Sequence, residues 1–147
     1  MFELTKDLLV GIQDVDDQHR ELLGTINDLL AMDFENTDHA IIEESLEFLE
    51  KYCLMHFSLE RELMDACSYT AVGLHQNQHD LFVDKFLEYK DSFVAENYCA
   101  KQFTNFAQWL VKWVVNHITA CDMEFSKIYL EKMDKIAKRE EVNNHES

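Results

Sequence analysis

The stretch Ile42-Glu-Glu-Ser-Leu46-Glu-Phe-Leu49-Glu-Lys-Tyr-Cys53-Leu-Met-His56-Phe-Ser-Leu-Glu60-Arg-Glu-Leu63-Met-Asp-Ala-Cys67 decides how this chain folds. Ile42, Leu46, Leu49, Cys53, His56, Glu60, Leu63 and Cys67 advance by alternating steps of three and four, the spacing that holds one helix stripe against a core. Two members of that stripe, His56 and Glu60, are not apolar. Outward from it the same period recurs in Ile12, Val15, His19, Leu22, Ile26 and Leu29 on one side. On the other side it recurs in His75, His79, Phe82, Phe86, Tyr89 and Phe93, and again in Phe103, Phe106, Leu110, Trp113 and His117. The last stripe slips by one residue after His117, resumes at Asp122, Phe125 and Tyr129, and fades into the polar stretch Lys138 to Ser147.

Asp33-Phe-Glu-Asn-Thr-Asp38 separates the first two stripes and offers N-cap residues, while Ser68-Tyr-Thr70 and Asn97-Tyr98 mark the other breaks. With three glycines and no proline in 147 residues, the chain lacks the turn residues a strand-rich fold needs. The expected fold is all-α, an up-down-up-down antiparallel four-helix bundle, with residues 1–11 as an irregular N-terminal arm and 138–147 as a fraying polar tail. Length, the absence of internal repeats and a uniform composition predict a single domain over 1–147.

A hydrophobic fraction of 47% excludes disorder, although 29 acids against 13 bases give a formal charge of −16. That charge repels nucleic acid backbones and anionic lipid. The start, Met1-Phe-Glu-Leu-Thr-Lys-Asp7, is unlike a signal peptide, and no apolar run approaches the roughly 20 residues of a membrane span. A cytoplasmic location without membrane insertion is expected. Cys53, Cys67, Cys99 and Cys121 form no CxxC pair, so reduced, mostly buried thiols are expected.

His19, His56, Glu60, His75, His79 and His117 all stand where a stripe demands a core residue, and they come from all four helices. A buried carboxylate costs several kcal/mol unless it is paired, and no Lys or Arg lies on any stripe to pair Glu60. A bound cation resolves the deficit. His56 with Glu60, and His75 with His79, are spaced i,i+4 and can chelate one centre. Asp122 follows His117 by five residues, which an ideal helix rotates about 140° away, so the stripe slip predicts a π-type turn that returns it inward. Five imidazoles and two carboxylates without a cysteine pattern suit iron, with manganese or zinc open on ligand chemistry. Seven ligands fit two ions, with three histidines completing one and two leaving a free position on the other for a small molecule such as dioxygen. His39 and His145 fall outside the set.

These residues, His19, His56-Phe57-x-x-Glu60 with Met64, His75-x-x-x-His79 and His117-Ile118-x-x-x-Asp122, resemble the hemerythrins, specifically the single-domain bacterial members, from about Val10 to Met133. The lead-in Gly11-Ile-Gln-Asp-Val-Asp-Asp-Gln-His19 is similar to the bacterial first motif. The resemblance implies a non-heme, oxo- or hydroxo-bridged diiron centre. His75, His79 and His117 would hold the six-coordinate iron, His19 and His56 the open one, and Glu60 and Asp122 would bridge. It further implies reversible, non-enzymatic dioxygen binding as a hydroperoxide, for storage, delivery or sensing; a sensor of this length would need a protein partner. The alternatives are a diiron enzyme acting on dioxygen, peroxide or nitric oxide, and an iron-responsive interaction module. Leu22, Leu23, Trp113, Val114 and Ile118 are candidates for an apolar pocket over the open site. Cys53, where the family usually has a larger apolar side chain, would enlarge that pocket or make it redox-sensitive. Phe2, Arg61 and Thr70 depart from the family pattern, where Trp, a second acid and Pro are common, and none touches an expected ligand.

Overall fold

The computed structural model describes residues 5–146. The four stripes become four antiparallel rods: α1 (Gln13–Leu30), α2 (His39–Ala66), α3 (Val72–Ala95) and a composite rod. This last rod joins α4 (Ala100–His117), a π-helical turn (Ile118–Asp122) and α5 (Met123–Glu146). The result is an up-down-up-down bundle, with no β-strand among the described residues. No helix there is long and apolar enough to cross a membrane.

The stripes face inward nearly as the spacing requires. Ile26, Leu46, Leu49, Phe86, Leu110 and Phe125 are all fully buried. In α2 the stripe shifts near its end, so that Met64 is buried and Leu63 only half-buried. From Lys138, where a polar tail is expected, the backbone of α5 is helical to Glu146.

Helix ends explain the short connections. Asp38 accepts a hydrogen bond from the Ala40 N–H and caps α2, as the acidic connection predicts. At the other end of α2, Ser68 takes φ 52°. The Tyr69 N–H then reaches the Met64 carbonyl at 3.0 Å and the Ser68 N–H the Asp65 carbonyl at 3.2 Å, a Schellman closure. Helix α3 closes the same way through Asn97 (φ 55°), with the Tyr98 N–H on the Phe93 carbonyl at 3.0 Å and the two rings 5.1 Å apart. Lys132 of α5 donates to the Cys67 carbonyl at 2.7 Å and satisfies another orphan acceptor of α2.

The N-terminal arm has an anchor. Buried Asp16 accepts the Val10 N–H at 2.8 Å and the Gly11 N–H at 3.1 Å, which fixes the chain as it enters α1. Gly11 sits at φ 90°, a conformation that favours glycine, and a Cβ there would lie 3.1 Å from Leu130 Cδ1, which would have to give by a few tenths of an ångström. A short 3-10 turn, Lys6–Leu8, precedes it. The first four residues of the expected arm, Phe2 among them, and Ser147 lie outside the described residues.

Ser68 holds a left-handed conformation that costs a side-chain-bearing residue about 1 kcal/mol. Ser68→Gly is expected to raise the unfolding midpoint by an amount corresponding to roughly that energy, measured by urea unfolding followed by circular dichroism.

Candidate metal centre

Each rod carries polar side chains into the core. His19 comes from α1, His56 and Glu60 from α2, His75 and His79 from α3, and His117 from the end of α4. Asp122 comes from the π turn, which behaves as the spacing predicts. The Met123 N–H reaches back to the Ile118 carbonyl, a five-residue step that turns Asp122 to the face of His117. The Thr119 hydroxyl bonds the Val115 carbonyl at 3.0 Å and the Asn116 carbonyl at 3.2 Å, serving acceptors where the helical ladder widens.

All seven side chains are buried, Glu60 at 0% and Asp122 at 1% exposure, and their ligand atoms converge. Glu60, His75, His79, His117 and Asp122 form one group and His19, His56, Glu60 and Asp122 another, the atoms of each group within 4.8 Å of one another. The two carboxylates belong to both groups, and each divides its oxygens between them. Glu60 Oε1 lies 2.5 Å from His56 Nε2 and 3.8 Å from His19 Nε2, while Oε2 lies 2.9 Å from His75 Nε2 and 3.5 Å from His79 Nε2. Asp122 Oδ2 lies 3.1 Å from His19 Nε2, and Oδ1 lies 3.0 Å from His75 Nε2 and 3.1 Å from His117 Nε2. Neighbouring ligands on one octahedral ion with bonds of about 2.1 Å stand about 3 Å apart, so most of these spacings are compatible with the edges of a coordination shell.

Unspent hydrogen-bonding capacity points the same way. Glu60 Oε1, both Asp122 oxygens and His19 Nε2 are buried without a directed hydrogen bond among the described residues. Acceptor atoms facing one another at such distances repel unless a cation sits between them. The donor set therefore fits a pair of metal ions.

Considering the protein groups alone, protons supply part of that positive charge. Burial lowers the His19 and His75 pKa values, but the adjacent carboxylates of Asp122 and Glu60 outweigh it and raise both from 6.5 to about 9. Burial lowers His79, and the neighbouring imidazoles add to that. For Glu60 and Asp122 burial acts upward, yet the surrounding imidazoles hold both below the usual carboxylate range.

Sequence reasoning missed a supporting residue. The Gln18 side-chain oxygen lies 2.7 Å from His56 Nδ1 and accepts its N–H, which leaves the Nε2 lone pair facing Glu60. Gln18 stands directly before His19, but nothing in its spacing separates it from a solvated polar residue. The aromatic shell is close as well: Phe57 stacks on His79 at 3.9 Å and Trp113 on His117 at 4.4 Å.

Beside His19 and His56 lies a cavity of about 10 Å³, lined by Leu22, Cys53, Phe57, Phe82, Trp113, Val114 and Ile118 along with ligand side chains. Of the expected pocket residues, Leu23 is the exception, fully buried in the core but not on this cavity. Burial, with a smaller push from the Glu50 charge, raises the Cys53 thiol to about 12, so it stays a neutral, small wall residue. A larger apolar groove of about 700 Å³ along Leu30, Phe34, Phe103 and Val111 lies away from the ligands. His39 is exposed, stacked on Tyr98 at 4.0 Å, and plays no part in the cluster.

A buried cluster of His, Glu and Asp side chains that could hold metal, drawn from all four rods of an up-down bundle, points to a class of metal-binding helical-bundle proteins. Comparison with known proteins narrows the class. Residues 10–128 match the family described as the hemerythrin HHE cation binding domain. The chain is 32% identical over 132 residues to a bacteriohemerythrin of Pseudomonas paraeruginosa, covering 90% of this chain and 84% of the relative. It is 28% identical to a hemerythrin-like protein of Naegleria gruberi over 86% of this chain and 92% of that one. A crystal structure of wild-type hemerythrin superposes with a TM-score of 0.70 at 24% identity, over 80% of this chain and 88% of that one, and shares the bundle fold. This chain belongs to the hemerythrin family.

Two outcomes are expected from this geometry. A group whose pKa rises on folding contributes stability fully below its unfolded value and loses it as pH climbs through the folded value. Chelator-stripped protein should therefore weaken as pH rises from 6.5 through about 9, where His19 and His75 lose their protons, while metal-loaded protein keeps its midpoint. Urea unfolding of both forms across that range checks this. Gln18→Ala should weaken metal binding by roughly 10- to 100-fold, read by competition with a chelator, because His56 loses the bond that orients it.

Proposed function

We propose that this chain holds two non-heme iron ions and binds dioxygen reversibly, for storage, delivery or sensing rather than turnover. The observation that carries this reading is the division of both carboxylates, each giving one oxygen to the three-histidine group and one to the two-histidine group. His75, His79 and His117 would complete one ion, and His19 with His56 would hold the other with one position free. When bound, the iron pair supplies the two electrons that dioxygen takes up and returns.

The protein's own side chains support binding over oxidation. Five neutral imidazoles donate less negative charge than a carboxylate-rich shell, so the ferrous state is not pushed toward deeper oxidation. The small apolar cavity borders His19 and His56, whose ion would carry the free position, together with His117 and Asp122, and its volume of about 10 Å³ admits roughly one water-sized molecule. Leu22, Val114 and Ile118 there offer nothing to an anion or to bulk water, whose entry would promote irreversible oxidation. His56 is kept in one tautomer by Gln18, and Phe57 and Trp113 fix the ring planes of His79 and His117.

Spectroscopy of protein from iron-replete cells tests the reading. An oxygen-to-iron charge-transfer band that fades under vacuum and returns with air over many cycles is expected. One-way conversion to a diferric form, or sustained turnover of nitric oxide or of peroxide in the absence of added thiol, would favour the enzyme instead, and zinc alone in the preparation would contradict the dioxygen reading. Glu60→Ala and His79→Ala should lower iron content and thermal stability together, whereas His39→Ala should change neither; equal iron in all three would contradict the ligand assignment.

A further inference from the structure

Both tryptophans of the chain, Trp109 and Trp113, lie on one line of touching rings that starts at a proposed ligand and ends at the surface. Trp113 lies flat on His117 with ring centroids 4.4 Å apart and planes 14° apart. Phe82 packs on Trp113 at 4.4 Å and on Trp109 at 5.2 Å, and Trp109 stacks on Tyr89 at 5.2 Å. The line follows from two facing stripes, Phe82 and Tyr89 on α3 against Trp109 and Trp113 one turn apart on α4. Trp113, Trp109 and Tyr89 are each half-buried, and Trp109 and Trp113 border an outer cleft of about 420 Å³ with Gln78, Lys112, His117 and Cys121.

No other described ligand has such a neighbour. The rings nearest His79 and His75 include Phe57 and Phe125, which are not readily oxidised, and Tyr69 meets His75 only edge-on at 6.4 Å. A bundle core needs apolar volume, which Leu or Phe supplies. The two indoles, one on either side of Phe82, and the phenol stacked on the outer one supply in addition groups that can each lose one electron.

We propose that Trp113, Trp109 and Tyr89 form an escape route that carries oxidising equivalents from the metal centre to the surface and so spares the buried ligands. This rests on the diiron reading above. The oxidant is hydrogen peroxide. Trp113 gives one electron inward and is refilled from Trp109, and Trp109 is refilled from Tyr89, whose phenol releases its proton to solvent and is left as a neutral radical. Two such passages would supply the two electrons that, with the two protons drawn back from solvent, turn one hydrogen peroxide into two waters. Two thiols outside the protein each return a hydrogen atom to the phenol and join as a disulfide.

The test is hydrogen peroxide added to iron-loaded protein, with freeze-quench electron paramagnetic resonance and peptide mass spectrometry, on the parent, Trp113→Phe and Tyr89→Phe chains. Phenylalanine keeps the stacking and removes the oxidisable ring, so iron content and absorption bands should match in Tyr89→Phe and the parent. The parent should give a tyrosyl radical that is lost in both variants, and Trp113→Phe should gather oxidation at His117 and its neighbours. A radical that survives in Tyr89→Phe, is undiminished in Trp113→Phe, maps to Tyr69 or Tyr129, or never forms in iron-loaded protein overturns the route alone. A preparation that takes up no iron overturns the diiron reading and this inference with it.

Discussion

Two carboxylates in the centre of an apolar bundle, with no lysine or arginine on the stripes around them, set the terms for the rest of the molecule. Glu60 and Asp122 are buried against one another and against five imidazoles. Each buried charge carries a desolvation cost of several kcal/mol, which only close positive charge offsets. No single helix can surround the two carboxylates, so every rod contributes at least one nitrogen or oxygen. The centre thereby ties together elements distant in sequence, and metal binding and folding share one free energy.

Local features follow from that requirement. A regular helix after His117 would aim Asp122 elsewhere, and the π turn absorbs one residue to correct it, with the Thr119 hydroxyl covering exposed carbonyls. The two Schellman closures allow α2 and α3 to turn back at once, which keeps His75 one short connection from Glu60. Around the ligands the core becomes aromatic on one side and aliphatic on the other. Phe57 and Trp113 stack on imidazole planes, while Leu22, Val114 and Ile118 line a small space beside His19 and His56.

Much of this was legible in the sequence because buried helices repeat and buried polar residues break the repeat conspicuously. The four rods, the seven clustered residues and the π turn could each be read from spacing alone. What could not be read depends on which way a single polar or apolar side chain points. Asp16 looks like any first-turn acid, yet it is buried to hold the Val10 and Gly11 N–H groups. Gln18 differs from a surface glutamine only through His56, 38 positions away. Leu22 and Leu23 are equally apolar, and only the rotation of α1 puts the first on the cavity and the second in the core. Ser68 ends α2 in a conformation that glycine usually signals, so its role left no mark in the composition.

Anomalous diffraction at the iron edge from crystals of iron-loaded protein would address the central claim most directly. Two peaks about 3.5–4 Å apart are expected, both flanked by Glu60 and Asp122, one beside His75, His79 and His117 and the other beside His19 and His56. A single peak, or peaks that leave either carboxylate on one ion only, would contradict a paired centre bridged by Glu60 and Asp122.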